Sequence, residues 1–462
     1  MKSNPHRQLG HFLLASDVPK GRQEIYGFGR HAAMADELYT ERLEGTLDDN
    51  SDVSLSRGLG RSYGDSSLPT AAHPKVLNTT FADRILDFNP ATGLLRAEAG
   101  LSLVRINQRF LRDGFFPPVT PGTQYVTLGG MVAADVHGKG HHVAGTFGEH
   151  VTRLKMRLAS GDVLWISPNE KSELFWATVG GMGLTGHILE VEFRMQKIPS
   201  PWIMMETERI SNIDAFQVAL GEAATKSPYT MGWIDCASSG SKMGRGVLMS
   251  GRWAKPDEAR AHKPGKLARP TFPFELPSWA VNRLTVSAFN ELYFRMHPKG
   301  VHRSVVHPEK FFYPLDAVRE WNRLYGKRGF TQYQCVLPRS AGAGSARRFL
   351  ETLTGLPNGA SFLCVIKDCG KQGHGMLSFP MEGISIACDI PVRSNTQELV
   401  DTLNQQVIAE GGRIYLAKDS FTRAEDFRQM EPRLAEFERL RAQWDPEHKL
   451  SSAQSERLFS SQ

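Results

Sequence analysis

The sequence predicts an α+β fold that is divided between two domains. Its 462 residues are about three times the length of a typical single domain. Strand-like and helix-like patterns follow one another without the strict alternation of a doubly wound α/β sheet. Hydrophobic residues make up 40% and charged residues 23% of the chain, a composition that excludes disordered, collagen-like and disulfide-scaffold proteins.

The first 200 residues contain the clearest strand and helix patterns. Residues 85–89 and 94–99 predict two strands, joined by the turn sequence Asn89-Pro90-Ala91-Thr92-Gly93. An amphipathic helix starts at Leu103, with Ser102 as its N-cap and Gly114 at its end. The patterns that follow predict a hairpin over 154–166, a short helix over 172–179 and an alternating strand over 189–195.

The remainder of the chain is less regular. The run Lys197-Ile198-Pro199-Ser200-Pro201 is typical of a domain boundary, and strands and helices continue after it. Residues 255–270 are rich in proline, lysine and arginine, which predicts a mobile loop. A strand is expected over 413–416. The last helical pattern, over 423–443, is rich in arginine and glutamate and is expected to lie on the surface.

Charge and cysteine content indicate which kinds of partner the protein binds and in which cellular compartment it lies. Lys and Arg number 55 against 49 Asp and Glu, so the formal net charge is a mild +6. This favours an anionic small molecule or a passing contact with an anionic membrane, and nucleic acid is not expected. No stretch approaches the ~18 apolar residues of a membrane span, and the N-terminus lacks a signal-peptide pattern. Five cysteines without a CxxC pair indicate free thiols, so the expected location is the cytoplasm.

The first of three glycine-rich segments follows the strand-like residues 53–55. It has the sequence Arg57-Gly58-Leu59-Gly60-Arg61-Ser62-Tyr63-Gly64-Asp65. Successive glycines let backbone N–H groups turn inward and approach a pyrophosphate, and arginine and serine side chains add to such a site. A tight turn between two strands would explain the same residues equally well.

The second glycine-rich segment combines small residues with three histidines. Thr120-Pro121-Gly122-Thr123 precedes Thr127-Leu128-Gly129-Gly130-Met131-Val132-Ala133-Ala134-Asp135-Val136-His137-Gly138-Lys139-Gly140-His141-His142. Its small residues would let a flat ring system lie against the backbone. Histidines four residues apart chelate metals on helices, but the intervening glycines disfavour a helix, and no carboxylate or cysteine completes a ligand set. We expect no metal and favour a polar site beside a cofactor.

The third segment, Gly180-Gly181-Met182-Gly183-Leu184-Thr185-Gly186, matches the G-x-G-x-x-G pattern formally. A predicted helix precedes it and a predicted strand follows it. A Rossmann nucleotide site needs the reverse order, strand then glycines then helix. The sequence therefore argues against NAD(P) bound by a Rossmann domain.

Together these segments resemble the FAD-binding domain of the vanillyl-alcohol-oxidase-type flavoproteins, the PCMH type. Within that superfamily the chain is similar to the family of decaprenylphosphoryl-β-D-ribose 2′-oxidases. The similarity rests on the motifs RGLGRSYGD, PVTPGT, VHGKGHH, AGTFGEHV and ELFWATVGGMGLTG, and continues through FYPLD, TQYQ, GRIYLAKDS and WDP. These motifs extend over nearly the whole chain.

The resemblance implies a two-subdomain FAD-binding domain over residues 1–197 and an α+β substrate domain with an antiparallel sheet over 198–412. A C-terminal segment, 413–462, would return to the FAD-binding domain. In such a protein the first glycine segment, Arg57 to Asp65, wraps the FAD pyrophosphate. Ile188 would contact the adenine side, and Tyr415 would close over the cofactor. The flavin and its ribityl chain would be lined by Gly122, Thr127, Leu128, Gly129, Gly130, Ala134, Asp135, Val136 and His137.

Two positions depart from the pattern of the relatives. Members that bind flavin covalently often have a histidine in the first glycine loop, where this chain has Tyr63, so we expect dissociable FAD. The close family commonly has a cysteine facing the flavin, where this chain has Ala387. Cys388 is adjacent, but strand alternation turns it to the opposite face. Hydride transfer does not need that cysteine, so the departure bears on the shape of the substrate pocket.

Oxidising a sugar alcohol requires hydride transfer to the flavin and removal of the hydroxyl proton. The resemblance points to Lys418 as the cation beside the reduced flavin and as a contact to the reacting hydroxyl. As a base, Lys418 would need a pKa lowered by burial or by a second cation such as Lys367. His137 is a second candidate for orienting the flavin or accepting the proton. The candidates for substrate binding are Lys139, Trp233, Tyr313, Gln334, Lys367 and Ala387. Trp233, Tyr313 and Gln334 could equally be residues of the protein core.

The implied function is FAD-dependent oxidation of the 2-hydroxyl of a polyprenyl-phosphoryl ribofuranose to a ketone. This would be the first half of an epimerisation towards an arabinofuranose donor for cell-envelope polysaccharide, completed by an NAD(P)H-dependent short-chain reductase. Two alternatives stay open: an aldonolactone or alditol oxidase that acts on a free sugar with oxygen as acceptor, and a non-catalytic flavin-binding subunit. A lipid-phosphate substrate predicts a basic and apolar entrance, which residues 255–279 supply, and with it peripheral contact at the inner membrane.

Overall fold

The computed structural model describes residues 21–260, 262, 269–277, 279–357, 359, 361 and 363–459. Within these residues helices are mixed with largely antiparallel sheets, which confirms the predicted α+β class. All five cysteines are buried and free, as the sequence indicates. In the described part of the chain, no helix is both long and apolar enough to cross a membrane.

The first sheet lies near the N-terminus. Its strands are β1 (Gln23–Tyr26), β2 (Ala32–Tyr39), β3 (Leu55–Arg57) and β4 (Lys75–Asn78). They lie side by side in the order β1-β2-β4-β3, with β1 antiparallel to β2 and with β2 and β3 both parallel to β4. The first glycine segment therefore begins at the end of an edge strand, where the backbone is free to turn.

The second sheet is antiparallel and has the order β5-β6-β10-β8-β9, and β7 pairs separately with β11. The strands are β5 (Ile85–Asn89), β6 (Leu94–Glu98), β7 (Phe115–Phe116), β8 (Val151–Arg157), β9 (Val163–Ile166), β10 (His187–Arg194) and β11 (Gln196–Lys197). The predicted strands over 85–99, the hairpin over 154–166 and the strand over 189–195 are confirmed, within a few residues at their ends.

Five helices of the described residues accompany these two sheets. They are α1 (Leu43–Asp49), α2 (Leu103–Phe110), α3 (Leu128–Ala133), α4 (His141–Ala144) and α5 (Ser172–Thr178). The predicted amphipathic helix is α2, which buries Leu103, Ile106 and Phe110 and is followed by Gly114 with a left-handed φ of +80°. The helix predicted over 172–179 is α5. A short helix, α4, begins directly after Gly140, where the glycines argued against one.

The third sheet dominates the rest of the molecule, and its order is β15-β12-β14-β13-β17-β18-β16-β19 over the described residues. The strands are β12 (Ile203–Ile210), β13 (Tyr229–Ile234), β14 (Gly246–Trp253), β15 (His302–Val306), β16 (Phe330–Pro338), β17 (Cys364–Cys369), β18 (Gly383–Pro391) and β19 (Arg413–Ile414). Because side chains alternate along each strand, one face of this sheet packs into an apolar core and the other carries polar groups.

Helices cover both faces of the third sheet. They are α6 (Ile213–Lys226), α7 (Pro256–Ala259), α8 (Arg283–Met296), α9 (Pro308–Phe312), α10 (Ser345–Gly355), α11 (Thr396–Ala409), α12 (Ala424–Met430), α13 (Leu434–Trp444) and α14 (Ala453–Phe459). Helices α6, α10 and α11 pack on the apolar face through residues such as Phe216, Phe349 and Leu403. Helix α8 packs on the other face, where its Phe294 contacts Trp233 and Val247.

Two predictions about the C-terminal part are confirmed only in part. The pattern over 423–443 predicts one surface helix, but Pro432 separates α12 from α13 because proline cannot continue the helical hydrogen bonding. Both helices also bury an apolar side that includes Phe427, Phe437 and Leu440. The strand predicted over 413–416 is shorter, since β19 ends at Ile414.

The predicted mobile loop over 255–270 contains a short helix. Helix α7 starts after Lys255, and Glu258 within it accepts hydrogen bonds from Arg252. Lys263 and Lys266, two of the basic residues expected at a membrane entrance, lie outside the described residues.

Candidate active site

The first glycine segment turns tightly as it leaves β3. Gly60 has a left-handed backbone with a φ of +62°, and a Cβ atom on it would lie 2.3 Å from Nη2 of Arg57. The Arg57 guanidinium is buried and donates to the carbonyl oxygens of Ser67 and Tyr26 at 2.8 and 2.7 Å. Its side chain therefore shapes the loop from behind, while Leu59, Ser62 and Gly64 continue the loop.

The first two glycine segments meet at Gly58 and Thr127. A Cβ atom on Gly58 would lie 2.2 Å from Oγ1 of Thr127, so glycine allows an approach that other residues would block. Thr127 also caps α3, because its Oγ1 accepts a hydrogen bond from the N–H of Gly130 at 3.3 Å. Arg61 donates from Nε to the carbonyl oxygen of Tyr125 at 3.2 Å. The structure thus brings together the two segments that the resemblance assigns to the cofactor.

The end of the first segment is held by the C-terminal part of the chain. The N–H of Tyr63 donates to the carbonyl oxygen of Ala417 at 2.9 Å. Asp65 accepts two hydrogen bonds from Arg457 in α14, at 2.8 and 2.9 Å. The carboxylate of Asp65 therefore anchors the C-terminal helix, and its place in the predicted pyrophosphate loop is structural.

The second segment is tied to neighbouring loops by Asp135 and Ala134. Oδ1 of Asp135 accepts from the N–H of Gly148 at 2.9 Å, and Oδ2 accepts from the hydroxyl of Ser378. Burial raises the pKa of Asp135 to about 6, although these hydrogen bonds oppose the shift. The carbonyl oxygen of Ala134 accepts from the Tyr415 hydroxyl at 3.0 Å. Tyr415 therefore lies against the second segment, beside the residues that it is predicted to cover.

The remaining cofactor candidates of the second segment differ in their surroundings. Leu128, Val136 and Ile188 are buried in the core of the second sheet, so the face they offer to a ligand is backbone. The N–H of Gly129 donates to the carbonyl oxygen of Ala99 at 2.8 Å. Gly122 has open space around it, since no atom of the described residues lies within 4 Å of a Cβ atom placed there.

His137 leaves the second segment and reaches the polar face of the third sheet. Its Nε2 lies 3.0 Å from Nε2 of Gln334, which also donates to the hydroxyl of Ser385 at 3.3 Å. Because the amide nitrogen is a donor, Nε2 accepts and Nδ1 carries the proton. That Nδ1 is buried and has no hydrogen-bond partner among the described residues. Burial and the nearby charges of Lys367 and Lys418 hold the pKa of His137 well below its usual value, so the ring is neutral.

Lys418 follows the last strand, at a turn in which its N–H donates to the carbonyl oxygen of Tyr415 at 2.9 Å. Its Nζ lies 3.6 Å from the centre of the Tyr63 ring, a cation–π contact. Burial lowers the pKa of Lys418, Asp389 opposes that change, and Lys367 adds to it. Both of the factors that a lysine base requires are therefore present at this position.

Two further lysines lie near this group. Lys139 is buried and donates to the carbonyl oxygen of Phe312 at 3.0 Å. Burial, with the charge of Lys367, lowers the pKa of Lys139 to about 7. Burial also lowers the pKa of Lys367, which projects from β17 on the same face as Ser385 of β18. The site is thus rich in positive charge that water does not stabilise.

Ala387 and Cys388 lie on opposite faces of β18, as strand alternation predicts. Ala387 is in register with Gln334 on one side and Val365 on the other, on the polar face of the sheet. Cys388 lies in the apolar core, with its Sγ 2.8 Å from Sγ of Cys364. The small Ala387 side chain therefore leaves room beside Gln334 that the family's usual cysteine would take up.

Two of the predicted substrate contacts are core residues here. The hydroxyl of Tyr313 is hydrogen bonded to Thr120 at 2.6 Å and to Asn107 at 3.0 Å, and its ring is fully buried. Trp233 is buried beneath α8, with its ring centre 4.7 Å from that of Tyr293. Neither side chain is presented to a sugar in this structure, because the hydroxyl of the one and the ring of the other already have protein partners.

The site also contains residues that the sequence did not point to. Asp389 is buried on the polar face, where it accepts from Nε2 of Gln332 at 2.5 Å and from the hydroxyl of Tyr325 at 3.1 Å. Burial raises the pKa of Asp389, and the charge of Lys418 and these hydrogen bonds lower it. A charged residue two positions from Ala387, in a strand whose other residues are apolar except for Ser385, is the signal that would have indicated it.

The residues of the site fit FAD. At the glycine segments, stretches of backbone approach each other closely because no side chain stands between them. Three buried lysines, Lys139, Lys367 and Lys418, lie in or beside the site, and Asp389 offsets the charge of Lys418. Buried charge without a partner is unfavourable, so this arrangement is suited to a ligand that carries negative charge. The unpartnered Nδ1–H of His137 is a donor for the same ligand. Among the described residues no group of three or more His, Cys, Asp or Glu side chains is arranged to hold a metal ion.

Comparison with known proteins agrees with this geometry. Residues 48–167 match the model of an FAD binding domain family. Over 96% of the chain and 99% of the relative, the sequence is 34% identical to decaprenylphosphoryl-beta-D-ribose oxidase of Mycolicibacterium smegmatis. It is 30% identical, over 78% of the chain, to an uncharacterized protein of Streptomyces coelicolor.

Other relatives match shorter parts of the chain. D-2-hydroxyglutarate dehydrogenase of Escherichia coli is 37% identical over 87 residues, which are 19% of this chain and 8% of that protein. The near full-length match, by contrast, extends over both the glycine segments and the third sheet. The chain is therefore an FAD-linked oxidoreductase with a PCMH-type FAD-binding domain, and it belongs to the family of the decaprenylphosphoryl-β-D-ribose oxidases.

Proposed function

We propose that this protein oxidises the 2-hydroxyl of a polyprenyl-phosphoryl ribofuranose to a ketone. The observation that carries the proposal is the buried positive charge of Lys367 and Lys418 beside His137, with Lys139 beside Lys367 and with Asp389 as the carboxylate beside Lys418. A sugar attached to a phosphodiester carries negative charge, which would neutralise the positive charge of these lysines. The name of the full-length relative supports the same substrate class.

Lys418 is the residue that we assign to the proton of the reacting hydroxyl. Bound FAD supplies the hydride acceptor of this reaction. With its pKa lowered by burial and by Lys367, the amine of Lys418 is able to accept the hydroxyl proton. The ammonium that results stays in the site, where it stabilises negative charge that develops beside it.

His137 is assigned a positioning and hydrogen-bonding role. Its pKa lies well below the usual value, so the imidazolium is disfavoured and the ring is a poor final acceptor of a proton. Gln334 fixes the ring through Nε2, which directs the Nδ1–H as a donor. We assign Lys367 and Lys139 to the phosphate, because they are buried lysines close to each other, and we assign the space beside Ala387 to the sugar.

An anaerobic flavin-reduction experiment tests this proposal. We expect prenyl-phosphoryl ribose to bleach the flavin absorbance and free alditols or aldonolactones to leave it unchanged, because free sugars carry no phosphate for the lysines. Bleaching by the free sugars alone would identify the protein as an alditol or aldonolactone oxidase. A flavin that no substrate of the panel reduces would favour the non-catalytic subunit.

We also propose that a second enzyme completes the reaction. A ketone at C2 becomes an arabinofuranose when hydride is returned to the opposite face of that carbon. An NAD(P)H-dependent short-chain reductase has the chemistry for this step. Adding such a reductase with NADPH to the reaction should convert the accumulated ketone to the arabino product, and unchanged ketone would argue against this pairing.

A division into domains at residues 197 and 412 is proposed as well. Contacts between the C-terminal segment and the N-terminal region support the return of residues 413–462 to the FAD-binding domain. The N–H of Ser451 donates to the carbonyl oxygen of Ser54 at 3.1 Å, and Arg457 contacts Asp65. Limited proteolysis that cuts near both boundaries and leaves 1–197 associated with 413–462 would support this division.

Peripheral contact with the inner membrane remains part of the proposal, and with it the cytoplasmic location. The segment 255–279 ends in apolar residues, of which Phe274 and Trp279 are exposed. Its Arg269 is bound by Glu309 and by the hydroxyl of Tyr125, so that guanidinium already has protein partners. Fractionation of cells that express the protein should place part of it with inner membranes.

A further inference from the structure

Helix α8 presents an apolar surface to solvent. We call this surface the α8 outer face. It consists of residues that are spaced four apart and lie on one side of the helix, namely Leu284, Ala288, Leu292 and Met296. Leu284, Leu292 and Met296 are 81%, 62% and 71% exposed. A surface helix of a soluble protein usually has polar residues on this side, so the pattern marks an interaction surface.

The orientation of α8 is fixed by its other side. Val286, Asn290 and Phe294 are buried, and Nδ2 of Asn290 donates to Oδ1 of Asp235 at 2.7 Å. The helix also has a capping box at its start, where Asn282 and Thr285 bond to each other's backbone. The outward direction of the apolar residues is therefore a property of the packed fold.

Basic residues flank this surface. Residues 280–303 contain Arg283, Arg295, Lys299 and Arg303 and one acidic residue, Glu291. Arg295 pairs with Glu291 and Arg303 pairs with Glu206, so Arg283 and Lys299 carry the excess positive charge. Trp279 is 73% exposed and lies next to the start of α8, since Nδ2 of Asn282 donates to its carbonyl oxygen at 3.0 Å. Exposed leucines with a tryptophan and basic neighbours are the composition of helices that lie in the interface of an anionic bilayer.

The inner side of the same helix packs against the sheet that carries the candidate active site. Tyr293, on its inner side, packs against Trp233 of the third sheet, whose register leads through Val365 and Ala387 to Gln334. At the start of the helix, Val281 packs with Tyr63 and Trp321. The ring of Tyr63 is the one that Lys418 contacts. One side of helix α8 thus packs towards the site, and its opposite side is the exposed α8 outer face.

We propose that the α8 outer face and Trp279 form the surface by which this protein rests on an anionic lipid bilayer. The proposal rests on the proposed function, because a prenyl-phosphoryl substrate is held in a membrane by its tail. With α8 on the bilayer, the prenyl chain would stay in lipid while the sugar-phosphate head is bound by the protein. A second copy of the chain fits the surface less well, since two copies would bring the same basic residues together.

Vesicle binding tests this surface separately from turnover. The test variant is L284S/L292S/M296S, and the matched control is M34S/V218S, which changes exposed apolar residues of β2 and α6. Each FAD-loaded protein is sedimented with vesicles of phosphatidylcholine containing phosphatidylglycerol, and with phosphatidylcholine alone. We expect the wild type and the control to bind the anionic vesicles, and the test variant to bind them at least ~10-fold more weakly.

Kinetics with two substrates complete the design. For long-chain prenyl-phosphoryl ribose presented in anionic vesicles, the test variant should show a higher KM, and for a soluble short-chain analogue its kinetics should equal those of the wild type. Equal vesicle binding by the wild type and the test variant would overturn the proposal. A wild type that sediments as a dimer and a test variant that sediments as a monomer would also overturn it, in favour of a second copy. Failure of the proposed function would appear differently, as loss of turnover with the short-chain analogue in all proteins.

Discussion

Lys418 contacts Tyr63 through its Nζ, which lies 3.6 Å from the centre of the ring. Replacing it with alanine removes the base and the cation but leaves the glycine segments intact. We expect Lys418→Ala to retain FAD and to slow flavin reduction by substrate about 10²–10³-fold, the usual effect of losing one preorganised electrostatic contact. Stopped-flow absorbance under anaerobic conditions measures this rate. Lys371→Ala, at an exposed lysine nearby, is the control, and near-normal reduction in Lys418→Ala would contradict the assignment.

The charges around Lys418 predict opposite pH shifts for two variants. If the neutral amine of Lys418 accepts the proton, flavin reduction becomes faster as pH rises through its pKa. Lys367 lowers that pKa, so Lys367→Met should move the rising limb to higher pH. Asp389 raises it, so Asp389→Asn should move the limb to lower pH. The pH profile of the anaerobic reduction rate measures both shifts, and a rate that falls with rising pH would contradict the role of Lys418 as the base.

The residue at position 63 bears on whether FAD is bound covalently. Its ring packs in an apolar cluster with Phe330 and Trp321, and a phenol there offers no imidazole nitrogen for a bond to the flavin. We expect the purified protein to be yellow and to release its FAD completely on acid or heat denaturation. Absorbance of the supernatant after precipitation is the measurement. Flavin that remains with the precipitated chain would show a covalent link at another residue.

At the scale of elements, one ionic group joins the C-terminal helix to the first glycine segment. Arg457 of α14 contacts both Asp65 and Asp419, at 2.8 and 2.9 Å. Burial would raise the pKa of Asp419, but Arg457 and hydrogen bonds to Thr422 bring it below the ordinary value. The stabilisation from Asp419 is therefore present above its unfolded pKa and is lost as pH falls through the lower folded pKa.

Removing Arg457 leaves two carboxylates without their cation. We expect Arg457→Met to destabilise the FAD-loaded protein by about 3 kcal/mol, measured from the midpoint of urea unfolding. The double variant D65N/R457M should lose less than the sum of its two single variants, because the partners act as a unit. Additive losses would show that Arg457 and Asp65 contribute independently.

Periodic elements could be predicted from the sequence, whereas elements shaped by tertiary packing could not. The hairpin β8–β9, the strand β10 and the helix α2 alternate or repeat clearly, so their apolar residues identify them. Helices α12 and α13 carry so many arginines and glutamates that their buried side is not evident from the sequence. Their contact with the core is a property of the whole fold, which places Phe427 and Phe437 against the third sheet.

The candidate site divides in the same way. The glycine segments and Lys418 could be found because their motifs are local and resemble a known family. Asp389 and Ser385 are brought to the site by pairing of distant strands, and no local pattern predicts which strands are neighbours. Tyr313 lies in the FYPLD motif, yet its hydroxyl already has protein partners in this structure, as the ring of Trp233 does. A motif therefore identifies the position of a residue more reliably than the direction of its side chain.

At the scale of the whole molecule, the formal net charge of +6 is modest, but the charges are distributed unevenly. Positive charge is concentrated inside, on Lys139, Lys367 and Lys418, and it is opposed by Asp389. Burial lowers the pKa of each of these lysines, so protonating them makes the folded state less stable. An anionic cofactor bound beside them relieves this penalty, which couples FAD binding to the stability of the molecule.

The stability of the protein without FAD should therefore increase with pH. Lys139 has a folded pKa of about 7 and an unfolded value near 10.4, so between these pH values the unfolded state binds more protons than the folded state. Stability is lowest below the folded pKa, where the buried ammonium persists, and rises as the pH approaches the unfolded pKa. We expect the Tm of the FAD-free protein to rise between pH 6.5 and 9, by the equivalent of a few kcal/mol. Lys139→Met should make the Tm depend less on pH, and so should bound FAD. A Tm that falls over this range would contradict the prediction that buried positive charge destabilises the FAD-free protein.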